Sequence, residues 1–258
     1  MTTYYFLAAA LPELQIGEPP EISFHVLSLL LKWNLSRKDL QYTEVLRRLY
    51  DILNIRAFWR GEPLDEHGTM NENDLEEALL TGSGFPEYVY EFLDRYADRE
   101  ERLNAFSRLL FLYFKREKEH ANPFLRNYLQ FEWEWRLVVM ALRAKLYEKE
   151  VALELQEEGQ EDELIGSILA QKDAKHFEPP VRLISLKTLF MENYGRPEKL
   201  HQALCEYRFK HIEKMYGIEV LGEARIFAYM MQLILVEEWL ELDKKKGLSF
   251  IDERVKEV

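Results

Sequence analysis

The stretch from Phe124 to Glu158, FLRNYLQFEWEWRLVVMALRAKLYEKEVALELQEE, constrains this chain more than any other. Wound on a helix at about 100° per residue, it carries two apolar faces instead of one. Tyr128, Phe131, Trp135, Val138, Leu142 and Leu146 fall on one side, and Leu129, Trp133, Leu137 and Met140 roughly opposite. Glu132, Arg136, Arg143 and Glu150 form a narrow charged stripe between them, with Gln130, Glu134, Lys145 and Glu148 on the far edge. A helix that is apolar on two sides is packed on two sides. The spacing therefore predicts a central strut inside a helical body over 124–158.

Composition agrees with a helix-rich body. Of 258 residues 47% are hydrophobic and 31% charged, and there are only 11 Gly and 9 Pro, too few for a turn-rich all-β chain. A net charge of −12 argues against nucleic acid as a partner, because phosphate binding needs a basic surface. The basic cluster Lys244-Lys245-Lys246 stands where a helix would end and reads as a complement to its dipole. Cys205 is the only cysteine, which rules out an intramolecular disulfide and fits a reducing compartment.

The opening MTTYYFLAAALPELQ is apolar but has no Lys or Arg before its apolar run, so it reads as a first structural segment and not a secretory signal. The longest other apolar run, Ile226 to Val236, is broken by Gln232 and falls short of the ~18–20 residues that span a bilayer. It is apolar round most of a helix, which predicts burial. From Glu237 onward an acidic face with Glu237, Glu238 and Glu241 appears, the wrong charge for lying on lipid. The expectation is a soluble cytoplasmic protein with no direct membrane insertion.

Periodicity predicts helices over Ser23–Trp33, from a Ser36/Asp39 capping box to about Trp59, Asp74–Leu80, Pro86–Ala97 and Asp98–His120. The strut follows Asn122-Pro123, a short helix follows the acidic segment 157–163, and three more cover about Val181–Asn193, Pro197–Met215 and Glu223–Lys245. GEPLDEHGTMNEN (61–73) reads as a polar loop, and the tail from Gly247 to Val258 is amphipathic but too weakly patterned to count as an element. The expected class is all-α: one helical domain, 1–258, with sub-clusters at 1–80, 81–175 and 176–258.

Chemical motifs are sparse. Gly82-Ser83-Gly84 lacks both a preceding strand and a following Lys-Ser/Thr, so it reads as a turn and not a phosphate loop. Glu132 and Glu134 lie about 200° apart on a helix and cannot share one site. Glu132 is instead placed toward Arg136 at i+4. His201 and Cys205, at i and i+4, could face one ion, but His211 points elsewhere and no second cysteine completes a site. A packed thiol beside a surface histidine is the reading adopted. His25, His67, His120 and His176 show no ligand spacing. No catalytic, cofactor-binding or metal residue is assigned.

Three segments together carry a resemblance: TTYYFLAAALPELQIGEPPEISF (Thr2 to Phe24), YLQFEWEWRLVVMALRAK (Tyr128 to Lys145) and RIFAYMMQLILVEEWLELDKKKG (Arg225 to Gly247). They resemble an uncharacterised bacterial family associated with V/A-type ATP synthases. That family is similar in turn to the C component of those enzymes (the d component in eukaryotes), the adaptor between central stalk and membrane ring. The pattern of the C component is kept at Leu142-Arg143-Ala144-Lys145. It departs where Trp135-Arg136 stands in place of an Asn-containing part, and where Glu238 precedes Trp239 in place of a basic residue. The resemblance implies a body of about three helix clusters like the C component, and a non-enzymatic part or accessory protein of a V/A-type ATPase. It also implies central-stalk subunits and the proteolipid ring as partners, and a location peripheral to the cytoplasmic side of the membrane through that complex. The alternatives are a cytoplasmic helical scaffold unrelated to ATPases, for which the acidic surface favours basic partners, and an enzyme using a metal at His201 and Cys205.

Overall fold

A computed structural model describes residues 4–159, 162–216 and 222–256, with side chains described as far as Glu241. Among these residues there are thirteen α-helices, a 3-10 turn at Val181–Leu183 and no β-strand, so the all-α class holds. The chain divides into two compact units, residues 1–40 with 188–258 and residues 41–187. These edges fall at 40/41 and 187/188, not near 80 and 175, and the first unit joins the two ends of the sequence.

The unit of residues 41–187 is built round the expected strut. Helix α8, Pro123–Leu146, starts where Asn122 accepts the Leu125 N–H at 2.8 Å and Pro123 occupies the first turn, where its missing N–H costs nothing. Both apolar faces are covered. Tyr128, Phe131, Val138 and Leu142 are buried on one, and Leu129, Trp133 and Leu137 on the other, while Trp135 is half-exposed. Helices α7 (Phe106–His120), α9 (Val151–Glu154) and α10 (Glu163–Ala170) pack on it, and α5 (Glu87–Arg95) and α6 (Arg99–Asn104) pack on α7. Phe111, Phe114 and Trp133 form an aromatic cluster with ring centroids 5.5 and 5.6 Å apart.

The strut is shorter than periodicity predicts: it stops at Leu146 and does not run to Glu158. Residues Tyr147 to Glu150 are all exposed, so nothing apolar holds another helical turn there. Glu148 takes a left-handed conformation (φ 54°), the Lys149 N–H reaches back to the Ala144 carbonyl at 2.8 Å, and the Glu148 N–H donates to Lys145 at 3.4 Å. That pattern is a Schellman stop, which ordinarily uses glycine at the left-handed residue. The predicted 98–120 helix is also two helices, parted at Ala105. Helix α6 buries no residue, whereas α7 opens with buried Phe106.

Helix α3 (Arg37–Arg60) carries the chain into this unit, and α4 (Glu72–Thr81) follows the 61–71 loop. Asn71 caps α4 by accepting the Asp74 N–H at 3.0 Å. Gly82 ends it in the left-handed region at φ 66°, so Gly82-Ser83-Gly84 is the expected turn.

In the unit of residues 1–40 and 188–258 the strut is α13, Glu223–Lys256, with every residue from Ile226 to Val236 buried as its all-round apolar pattern requires. Helices α1 (Tyr5–Ala10), α2 (Phe24–Asn34) and α12 (Pro197–Met215) pack against it. α13 runs past the predicted end at Lys245. The lysine cluster therefore lies within a helix and not at its end, since Gly247 alone is a weak breaker and the residues after it tolerate helix. The side chains of 242–258 lie outside the described residues.

The capping box at the start of α3 contains a third member. Ser36 Oγ accepts the Asp39 N–H at 3.2 Å and donates to the Asp39 carboxylate at 2.7 Å. The Ser36 N–H, which the acidic partner of a capping box usually takes, goes to the Tyr4 hydroxyl at 3.0 Å, and that hydroxyl donates in turn to Asp39. The Tyr4 hydroxyl pKa is raised, by burial and then by the bond to Asp39. This one phenol anchors the start of α1 to the α2–α3 corner.

Candidate functional site

The charged residues singled out on α8 serve packing. Glu132 is buried and accepts the Trp135 indole N–H at 2.9 Å. Arg136, which spacing directs at Glu132, gives Nη2 to Glu158 at 2.7 Å and lies 4.7 Å from the Trp133 ring centre. Glu158 is buried, and desolvation raises its pKa despite Arg136. Glu134 accepts two guanidinium bonds from Arg182, at 2.8 and 3.0 Å, and a third from Gln130 at 2.7 Å. The two glutamates therefore face different partners, and no acid–base pair forms between them.

A polar cluster that the sequence pattern concealed holds the 61–71 loop on α3. Arg47, Asp51 and Asn54 lie on one face of the helix at i, i+4 and i+7. Asp51 accepts the Thr69 N–H at 2.6 Å, the Thr69 hydroxyl at 2.7 Å and the Met70 N–H at 3.1 Å. Asn54 donates to the Asp65 carbonyl at 2.9 Å and accepts the Asp65 N–H at 2.7 Å. Arg47 bonds the carbonyls of His67 (2.9 Å) and Gly68. Burial raises the Asp51 pKa against the pull of Thr69, Met70 and Arg47. At Asp65 burial also raises, but the bonds and charge of His67 outweigh it and the pKa is lowered. These groups hold the loop mainly through its backbone, with the Thr69 hydroxyl added, so the cluster is a brace.

A cleft of about 190 Å³ opens between α7, α8, Gly159 and Asp162, floored by Phe111, Phe114 and Trp133 and rimmed by Lys115 and Lys118. Gly159 lets the ring of Phe111 approach closely, because a Cβ there would fall 2.1 Å from that ring and displace it. Asp162 accepts the Trp133 indole N–H at 3.2 Å and caps α10 through the Leu164 N–H at 2.9 Å.

In the other unit, His201 and Cys205 are one turn apart on α12, as spacing predicts, and α13 brings Glu238 to them. One donor atom from each of the three lies within 4.8 Å of the others. His211 stands apart, its ring 6.2 Å from that of Tyr207. The expected acidic face of α13 is divided between neighbours: Glu237 accepts the Phe24 N–H at the start of α2 at 2.9 Å, and Glu238 lies 3.5 Å from Arg208.

The same unit exposes an apolar surface. The inner face of α2 buries Phe24, Leu27 and Leu31, while Val26, Leu29 and Trp33 form a second stripe pointing outward. Trp33 is 74% exposed, and Tyr5 and Phe6 on α1 are 67% and 79% exposed. Tyr4 ties the first turn of α1 to Ser36, three residues beyond Trp33. Sequence pattern alone gave a helix over Ser23–Trp33 and not its outward apolar stripe.

A family of proteins of unknown function, DUF2764, matches the chain over residues 1–258. The chain belongs to the DUF2764 family. Similar proteins include an uncharacterised protein of Chlamydia trachomatis, 30% identical over 98% of both chains. Another, from Chlamydia muridarum, is 32% identical over 90% of this chain and 91% of its own. An uncharacterised protein of Chlamydia pneumoniae is 30% identical over 83% and 82%. No solved structure matches the chain. Among the described residues, no helix is long and apolar enough to cross a membrane.

Proposed function

We propose that this DUF2764 protein is a non-enzymatic accessory component of a V/A-type ATPase. It is a helical adaptor like the C component of those enzymes, docking through the outward stripe of α2 and the exposed aromatics of α1. The observation that carries the docking reading is Trp33 standing three-quarters exposed in line with Val26 and Leu29 on α2, with Phe6 and Tyr5 also exposed on α1. An outward apolar stripe of this kind marks a partner site, and exposed tryptophans are frequent anchors of such sites. The choice of partner is supported by the three segments that resemble the ATPase-associated family. They contain α1, most of α8 and the apolar run of α13, and so include both buried struts. Densely packed aromatic helices resist deformation, as a part set between stalk and ring must.

The experiment is co-purification of tagged ATPase subunits in mild detergent, with the native chain and with Phe6→Ala/Trp33→Ala. The native chain is expected in the complex and the double variant in the unbound fraction. Both positions are exposed, so folding is retained, and circular dichroism verifies it. An intact ATPase recovered without the chain refutes the reading. Recovery of the chain with unrelated basic proteins establishes the scaffold alternative in its place.

A further inference from the structure

We propose that His201, Cys205 and Glu238 form a binding site for a zinc-class transition-metal ion that clasps α12 to α13. His201, Cys205 and Arg208 occupy i, i+4 and i+7, a single stripe of α12. The two helices run in opposite directions: Phe209 meets Gln232, whose amide reaches its carbonyl at 3.4 Å, while His201, further back, meets Glu238, further on. The cluster is therefore a product of the hairpin register and joins residues from 201 to 238, which is why the pair His201 and Cys205 looked incomplete in isolation.

The donor set selects the class of ion. A thiolate with an imidazole favours zinc and its neighbours over magnesium or calcium, which take oxygen ligands. Tetrahedral donors at ~2.0–2.3 Å from a metal stand about 3.5 Å apart, so donor atoms within 4.8 Å need close by only about 1 Å, within the reach of side-chain rotation. Cys205 is buried at 1% exposure and seals the inner side, whereas His201 keeps an edge in solvent and offers a way in.

Arg208 sets the terms of binding. Its Nη1 lies 3.5 Å from Oε2 of Glu238. In the metal-free chain it balances that carboxylate. With metal bound, it holds one oxygen while the other coordinates, the usual outer-shell arrangement for a ligating carboxylate. Three protein donors leave a fourth tetrahedral position for water or an incoming ligand.

The test is titration of the purified full-length chain with Co²⁺ alone, followed by displacement with Zn²⁺. One equivalent is expected to bind with a thiolate-to-cobalt charge-transfer band in the near ultraviolet, and Zn²⁺ is expected to abolish the band. Cys205→Ser removes the band. His201→Ala and Glu238→Gln weaken binding by about tenfold or more, in line with the loss of a ligand or its support. Arg208→Gln removes the outer-shell hold on that carboxylate and weakens binding as well. His201 is at the surface, so its variant folds even if the buried positions do not tolerate change, and a Zn²⁺-dependent rise in Tm of the native chain that is absent in His201→Ala reads out the same site. Binding without a charge-transfer band, binding unchanged in His201→Ala, or no binding at one equivalent overturns the proposal.

Discussion

Gly68→Ala isolates the brace between α3 and its loop, because the cost comes from contact and not from backbone conformation. Gly68 is not among the glycines with positive φ, so alanine fits its backbone. A Cβ there would fall 2.6 Å from Asp51 Oδ1 and 2.8 Å from Asn54 Nδ2. Neither group is the free end of a mobile side chain. The same Oδ1 holds the Thr69 and Met70 N–H groups, and the same Nδ2 holds the Asp65 carbonyl. Relief needs a shift of well over half an ångström, which lengthens hydrogen bonds to a buried carboxylate. Such bonds contribute about 1.5–3 kcal/mol each. Misaligning one and weakening a second costs about 3–4 kcal/mol, and the stiffer unfolded chain returns roughly 0.4–1 kcal/mol. The net loss is about 3 kcal/mol, or roughly 6–12 °C in Tm for a unit of this size. Gly166→Ala is the control: it lies in α10 with nothing within 4 Å of a Cβ, and it is expected to raise stability by about 0.5–1 kcal/mol. Thermal and urea unfolding followed by circular dichroism compare the two. A Gly68→Ala chain that melts within a degree of the parent refutes the brace.

Three further outcomes follow from the same geometry. Glu148→Gly relieves a left-handed residue at the end of α8 and is expected to stabilise by about 0.5–1 kcal/mol in urea unfolding, whereas Glu148→Ala gains nothing of that size. Leu137→Ala, wholly buried on α8, removes about 2–5 kcal/mol, and a loss below 1 kcal/mol would contradict a strut covered on both faces. Glu158 has a raised pKa in the folded chain, so the folded state holds the proton more tightly than the unfolded state, and its contribution to stability grows as pH falls through that raised value toward the ordinary carboxylate range. Glu158→Gln removes this dependence. Its stability relative to the parent is therefore highest near pH 7 and declines on acidification, and a pH-independent difference would show that burial does not govern this carboxylate.

Helix positions and both struts were legible in the residues because they rest on local physics. Period-3.6 patterning, an Asn-Pro start at α8, the Ser36/Asp39 cap and the all-round apolar run of α13 act over a few residues and need no knowledge of neighbours. Two of the boundary misses also have local causes. The Schellman stop at Glu148 uses a residue that pattern reading does not expect in a left-handed turn, and Gly247 does not stop α13. Partner choice is a different kind of question. Arg136 had a favourable glutamate one turn away, yet its guanidinium goes to Glu158, and Glu237 and Glu238, adjacent in sequence, go to α2 and to α12. Which long charged side chain meets which is decided by desolvated contacts between segments far apart in the chain.

On its own, then, the amino-acid order determined an all-helical chain with two buried struts, because helix formation and amphipathic burial are written in spacing. Only the tertiary structure decided that the 61–71 loop is braced by Arg47, Asp51 and Asn54, that α2 turns a second apolar stripe outward, and that Glu238 joins His201 and Cys205. Each depends on the register between elements, a quantity that no single helix period contains.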